Sequence, residues 1–316
     1  MTALPVQRAH ELAACPEERR WLIEDLWAAE AVGIVGGEPK CCKSFLALDM
    51  AVAVASGTPC LRRFRVAQTG PALLFAAEDA LHVVRRRLDG IGRASGVALA
   101  DLDVRVITAP SLRLDVEVDR RRLTETVGAV RPRLLVLDPF VRLHRVDENV
   151  SAEVAPLLAY LRELQRAYGV AVVVVHHARK GAAHARAGQA LRGSSEFHAW
   201  GDSNLYLRRV DDDLSLSIEH RAAASPAPIS VGLSADPDAV ALEVRSSSAS
   251  GNRPDAPISV ADAVERALLE ATAPLPLAAL RRICRARTKT VCDAISALSR
   301  DGRIVKRAGG YALADR

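Results

Sequence analysis

Phenylalanine, tyrosine and tryptophan supply only 4% of the 316 residues, so any core must be built from alanine, valine and leucine. Long apolar runs are missing as well. The best candidate, Gly169–Val175, is strand-sized and far short of the roughly 18 residues that a membrane-spanning helix needs. Arg8, Glu11, Glu17, Glu18, Arg19 and Arg20 deny the first twenty residues the apolar segment of a secretory leader. Cysteines are few and stand at 15, 41, 42, 60, 284 and 292; none forms a CxxC pair, so zinc spacing is absent. A disulfide scaffold does not suit a chain this long and apolar, which leaves free thiols in a reducing compartment. Charge of one sign does not dominate either: 43 Lys and Arg face 38 Asp and Glu, and 49% of residues are hydrophobic, which excludes disorder. The expectation is a soluble cytoplasmic protein, without a membrane partner and long enough for two domains.

Before Ser246 short apolar runs alternate with helical periodicity. Strands are expected at Ala31–Val35, Ala72–Ala77, Val104–Thr108, Leu134–Leu137 and Val170–Val175. Helices are expected between them, at Ser44–Ser56, Ala80–Gly90, Arg120–Val130 and Val154–Tyr168. Apolar strands separated by helices predict an α/β fold, its mainly parallel sheet covered on both faces. Past Asp202 the runs become short and alternating, at Asn204–Arg209, Leu214–Glu219, Ile229–Leu233 and Ala239–Val244. They read as an antiparallel extension of the same sheet. Ser246-Ser-Ser-Ala-Ser-Gly-Asn-Arg-Pro254 has a linker's composition. The expected organisation is an N-terminal segment 1–20, a large domain 21–245, a linker 246–256 and a small domain 257–316.

Between the first strand and the first helix stands Gly36-Gly-Glu-Pro-Lys-Cys-Cys-Lys-Ser44, in the place of a Walker A loop, GxxxxGK[ST]. Such a loop turns backbone N–H groups toward phosphate oxygens, and the helix N-terminus adds positive potential. Gly37, Glu38, Pro39, Lys40, Cys41, Cys42, Lys43, Ser44 and Phe45 are therefore the candidate nucleotide-binding residues. Lys43 would reach the β- and γ-phosphates, and the Ser44 hydroxyl would bind Mg²⁺. One position departs from the pattern: Cys42 replaces the second glycine, and its Cβ disfavours the backbone angles of the loop. Its place beside Lys43 at a helix N-terminus predicts a lowered thiol pKa.

Arg133-Leu-Leu-Val-Leu-Asp138 is an apolar strand ending in an acid, the form of a Walker B strand. Asp138 can hold the Mg²⁺ water shell opposite Ser44. Glu78 closes the strand Pro71–Ala77, where it either prepares the attacking water or simply opens the next helix together with Asp79. His176-His177 closes another strand, and one of them could meet the γ-phosphate. Glu78, Lys43, Asp138 and His177 are thus the candidate catalytic residues. Arg85-Arg-Arg87 and Arg120-Arg-Arg122 read as solvated helix faces.

Taken in order, the Gly37–Ser44 loop, Ala76-Ala-Glu-Asp79, Val136-Leu-Asp-Pro139, His176-His-Ala-Arg-Lys180 and Arg192-Gly-Ser-Ser195 with Trp200 and Asp202 resemble the plasmid RepA-type ATPases. These are relatives of RecA and of the ring-forming replicative helicases, and the likeness covers about residues 20–245. The resemblance implies a RecA-like core, ATP and Mg²⁺ bound at subunit interfaces, Glu78 as the catalytic carboxylate, and a homo-oligomeric ring, a hexamer. It also implies an arginine that reaches a neighbour's nucleotide, at Arg208 or Arg209. Arg179, Lys180 and Arg192 would line the ring's channel and touch DNA backbone.

Positive charge gathers at the end of the chain. From Ala273 to Arg316 ten Lys and Arg face three acids, a local +7 against −2 for the remainder. Helices are expected at Val260–Thr272, Leu277–Cys284 and Lys289–Arg300, followed by two short strands around Gly309-Gly310. That order resembles a winged helix-turn-helix over residues 257–314. Arg285, Arg287, Thr288 and Lys289 would enter DNA with the recognition helix, and Lys306 and Arg307 would sit on the wing. The combined expectation is an ATPase acting on DNA, with an ATP-responsive regulator of slow or absent turnover as the rival.

Overall fold

A computed structural model of the chain describes residues 6–314 apart from 13–15, 17–18, 178–195, 211–212, 235, 237, 246–259, 270, 272, 285–287 and 301. The chain divides into two compact units, Met1–Ser247 and Ser248–Arg316.

The larger unit opens with a small hairpin, β1 (Trp21–Ile23) and β2 (Trp27–Ala28), whose Leu22, Ile23, Leu26 and Trp27 are buried. Nine strands then share one sheet. They are β3 (Val32–Gly37), β4 (Ala72–Ala76), β5 (Val104–Val106), β6 (Leu134–Asp138), β7 (Ala171–His177), β8 (Ser203–Val210), β9 (Asp213–His220), β10 (Ile229–Leu233) and β11 (Leu242–Val244). Their order is β11-β10-β9-β8-β3-β7-β6-β4-β5. From β5 to β8 all neighbours run parallel, and from β8 to β11 all run antiparallel. The antiparallel extension therefore starts one strand later than expected: β8 is parallel to β3 and only its other edge pairs antiparallel.

Helices α1 (Lys43–Ser56), α2 (Leu81–Ala94), α3 (Glu117–Val130) and α4 (Ser151–Tyr168) cover the sheet. The strand period of two sorts the core into two layers. Val173 and Val175 of β7 pack with α1 and α2, whereas Val172 and Val174 pack with α3 and α4. This is why the central strands read as unbroken apolar runs: both faces are covered. Helix α1 is buried along almost its whole length, from Lys43 to Val54, and so shows little amphipathy. The helix boundaries run longer than the sequence pattern suggests, since α2 reaches Ala94, α3 starts at Glu117 and α4 at Ser151. The residues added to α3 and α4 are polar or exposed and do not register in the periodicity, whereas α2 continues past Gly90 through the buried Ile91. The β1–β2 hairpin and the short helix α5 (Glu196–Trp200) have too few residues to give a periodic signal. Among the described residues no helix is long and apolar enough to cross a membrane.

The smaller unit holds α6 (Val260–Leu269), α7 (Leu277–Ile283), α8 (Thr288–Arg300) and the hairpin of β12 (Ile304–Arg307) and β13 (Gly310–Leu313). Val264, Leu268, Leu280, Val291, Ile295, Leu298 and Ile304 form its core. Helix α8 contributes residues at i, i+4 and i+7, one face of an amphipathic helix.

Candidate functional site

Four neighbouring parallel strands end at the same edge of the sheet, and each delivers part of one site. Gly37 pairs with His177 across β3 and β7, and Ala76 pairs with Asp138 across β4 and β6. The Ala77 amide donates to the Asp138 carbonyl at 2.7 Å, which brings Glu78 beside the end of β6. Gly37 has φ of 152°, and a Cβ there would run into the Leu207 carbonyl of β8. Only glycine fits so close a backbone approach.

Residues 38–42 then turn into α1. The loop's cation, Lys43, is 5% exposed, and its Nζ donates to the Glu38 carbonyl at 2.7 Å. Burial lowers the Lys43 pKa, while the acidic groups around it, Cys41, Asp138, Cys42 and Glu78, favour the charged form. The Ser44 hydroxyl faces the Asp138 carboxylate and favours its charged form. Asp138 is buried, and that burial, reinforced by Asp79 and Glu78, lifts its pKa to about 6 against the pull of Ser44 and Lys43.

A cavity of about 290 Å³ opens between these elements. Lys40, Cys41, Cys42, Lys43, Ser44 and Phe45 form its floor, Glu78 and Asp138 one wall, and His177 another. Pro39 is exposed at the outer turn, and Glu38 contributes its carbonyl rather than its side chain. Glu78 is exposed at the cavity's rim, where its Oε1 accepts from Arg142 Nε at 2.8 Å. His176, one residue before His177, is buried on the opposite face of β7.

Two sequence expectations change here, while the backbone strain expected at Cys42 is present. Cys42 holds φ 59° and ψ 25°, so a residue with a Cβ adopts the left-handed conformation that the missing glycine would have taken freely. Its thiol pKa is raised, not lowered: burial outweighs the attraction of Arg209, Lys43 and Arg87, because the helix end is desolvated by its own loop. Arg85 and Arg86 are exposed, as a solvated face requires, but Arg87 turns inward to the cavity. It pairs with Asp79 and lies 5.2 Å from the Phe45 ring centroid. The apolar periodicity of α2 marks Val84, Leu88 and Ile91 as its buried face but does not say which of three successive arginines turns inward, so nothing in the sequence marks Arg87.

Of the two arginines on β8, Arg209 reaches the loop of its own chain, donating to the Lys40 carbonyl at 3.4 Å, while Arg208 points to the other face of the strand. Arg179, Lys180, Arg192, Arg285 and Arg287 lie outside the described residues. Thr288 and Lys289 open α8, and Lys306 and Arg307 are exposed on β12.

A glycine-led loop between a buried strand and a buried helix, faced by an acid-ended strand, defines a nucleotide-binding P-loop protein with a RecA-like core. The family model described as AAA domain matches residues 2–183, and the chain belongs to that family of P-loop ATPase-type domains. Membership carries ATP binding, usually with Mg²⁺. The donor set fits that pair: a hydroxyl and a carboxylate side by side for a hard cation, and a buried ammonium with loop amides for phosphate. Among the described residues no three His, Cys, Asp or Glu side chains could hold a metal by themselves.

Proposed function

We propose that the chain is a DNA-acting ATPase of the RepA type. The observation that carries the reading is the meeting of Lys43, Ser44, Asp138, Glu78 and His177 on one cavity at the C-terminal edge of the parallel sheet. Lys43 and the loop amides hold the phosphates and stabilise charge that develops on them. Ser44 and Asp138 place Mg²⁺, which when bound neutralises the phosphate oxygens. Glu78 orients or deprotonates the attacking water once its carboxylate leaves Arg142, and His177 meets the outermost phosphate. Arg209, Lys40 and Cys42 border the same loop. A hexameric ring, with DNA in a channel reached by Arg179, Lys180 and Arg192, completes this reading.

The smaller unit would act as a winged helix-turn-helix that reads DNA. Three helices with a hairpin, an exposed Lys306 and Arg307 and a locally positive sequence support that role. A second reading is favoured by one observation, the left-handed Cys42 in the phosphate loop. In it the chain binds ATP and turns over slowly as a DNA-binding regulator. Steady-state ATP hydrolysis with and without single-stranded DNA separates the two. DNA-stimulated turnover abolished by Glu78→Gln supports the ATPase. Tight ATP binding with no turnover in either protein supports the regulator.

A further inference from the structure

Strand β7 ends in two histidines that part to opposite faces. Val175 and His177 line the cavity, while His176 enters the apolar layer under α4. Its ring is 1% exposed, stacks on Phe197 at 4.3 Å and 21°, and meets Phe140 edge-on at 6.2 Å. Phe140 lies two residues beyond Asp138 and also packs on the ring of His144, at 4.6 Å. Into this aromatic setting the chain places a carboxylate. Glu148 Oε1 lies 3.4 Å from His144 Nε2 and 3.9 Å from His176 Nδ1, and all three side chains are less than one-tenth exposed.

An isolated carboxylate buried against phenylalanine rings is costly, and two imidazoles stand within ion-pair distance of it. Apolar side chains of the same volume would give comparable or greater stability. What the carboxylate adds is direction. At 3.9 Å from the ring it biases how His176 sits between Phe140 and Phe197, and it does so from a segment that is itself held. The Arg145 amide donates to Asp115 at 3.3 Å, and the Asp147 amide donates to Glu153 at 2.9 Å. His176 and His177 are neighbours on β7 and pair with Gly36 and Gly37 of β3, so a shift of the strand end moves both.

We propose that Glu148 is a positioning residue for the phosphate site: seated between His144 and His176, it fixes the end of β7 and so the place of His177 in the cavity. The inference rests on the nucleotide-site reading for its chemistry, but the link from Glu148 to His177 belongs to the ligand-free chain. An ångström of misplacement at a reacting group costs on the order of 100-fold in rate, so a fraction of that shift is measurable.

The full chain with Glu148→Gln, His177→Ala and both together separates the outcomes. Folding is checked by circular dichroism, MgATP turnover by kcat and KM, and the ligand-free His177 ring by imidazole NMR. Glu148→Gln is expected to lower kcat about tenfold with KM changed less than about threefold. It should also move the His177 resonances and add little to His177→Ala, because the two act in one chain of contacts. A folded Glu148→Gln protein with unchanged turnover and unchanged His177 resonances overturns the proposal, and so does a full additive loss in the double variant. If the wild type neither binds nor hydrolyses ATP while Glu148→Gln still moves the His177 signals, the nucleotide reading fails and the link stands. Should Glu148→Gln not fold, His144→Asn attacks the same carboxylate from outside β7. It must then move the His177 resonances, and their failure to move counts against the proposal.

Discussion

Residues 1–247 hold 31 Lys and Arg against 31 Asp and Glu, whereas residues 248–316 hold 12 against seven, so the whole net +5 belongs to the smaller unit. The structure shows what each does with its cations. In the larger unit Arg62 pairs with Asp49, Arg65 with Glu24, Arg87 with Asp79, Arg142 with Glu78 and Arg162 with Asp202. An anion entering the cavity must compete with carboxylates already placed there, which makes the site selective for a ligand that also brings a cation. In the smaller unit Arg303 meets Glu265, but acids are too few to match every base, and the surplus suits a polyanion. On the proposed function the neutral unit would read one ligand by geometry, and the cationic one would attract a polyanion by charge.

The largest effect that would sharpen this contrast falls on Lys43. Lys43→Ala should weaken MgATP binding by about 100-fold or more, since a buried, charge-assisted phosphate contact is lost. DNA binding by the full chain should survive it. Equal ATP binding by the two proteins in calorimetry would remove the phosphate-loop reading.

On the other unit, Lys306→Glu with Arg307→Glu should weaken duplex DNA binding by the full chain about tenfold at low salt. The dependence on salt should become shallower by about two counterions, because each cation–phosphate contact releases roughly one. ATP turnover without DNA should be untouched. A gel-shift titration over a salt series measures both. An unchanged slope would assign the exposed strand to a protein partner instead.

How far the sequence alone reaches differs between the units for a related reason. In the larger unit, apolar runs ending at Gly37, Asp138 and His177 announce the cavity, because parallel strands buried on both faces end in polar residues only at an edge. What escapes is everything that depends on side-chain direction across elements. Arg87 turning onto Phe45, Arg142 holding Glu78 and Glu148 standing by His176 join residues far apart in sequence, while Arg87–Asp79 and Glu148–His144 are local pairs whose side-chain directions the pattern does not give. The parallel course of β8 escapes for the same reason, since pairing partners are not written in a strand's own alternation. In the smaller unit the periodicity of α8 finds the core face, while the residues expected to read DNA remain a matter of charge and order along the chain.

A stability measurement tests the electrostatics of the neutral unit. Asp138 titrates at about 6 in the fold against an ordinary 3.8. Between those values the folded chain binds more protons than the unfolded one, so this group makes stability fall as pH rises through that window. Asp138→Asn removes the penalty and keeps an acceptor for the Ser44 hydroxyl. The ligand-free protein should gain up to about 3 kcal/mol at neutral pH, with the gain fading as pH falls toward the ordinary carboxylate range. Denaturant unfolding at several pH values measures it. A variant less stable than wild type at neutral pH would mean that Asp138 is compensated by its neighbours.

The smallest expected change concerns Cys42, where the loop departs from its own pattern. Holding a residue with a Cβ at φ 59° costs about 1–2 kcal/mol, and glycine would relieve it. Glycine also frees the unfolded chain, which returns part of that gain. Cys42→Gly should therefore stabilise the ligand-free protein by only about 0.5–1 kcal/mol, a rise of a few degrees at most in Tm. ATP affinity should hold or improve, because removing the thiol widens the cavity floor without touching Lys43 or Ser44. Alkylation supplies the second readout. Burial raises the Cys42 pKa above the ordinary 9.0, so its labelling rate should still climb with pH where an exposed thiol has levelled off, and MgATP should suppress it by covering the site. A rate that levels off early would show that Arg209, Lys43 and Arg87 outweigh burial. A lower Tm for Cys42→Gly would show that the loop is built around the thiol, and the balanced unit would then owe part of its site to a cysteine that the phosphate-loop pattern does not contain.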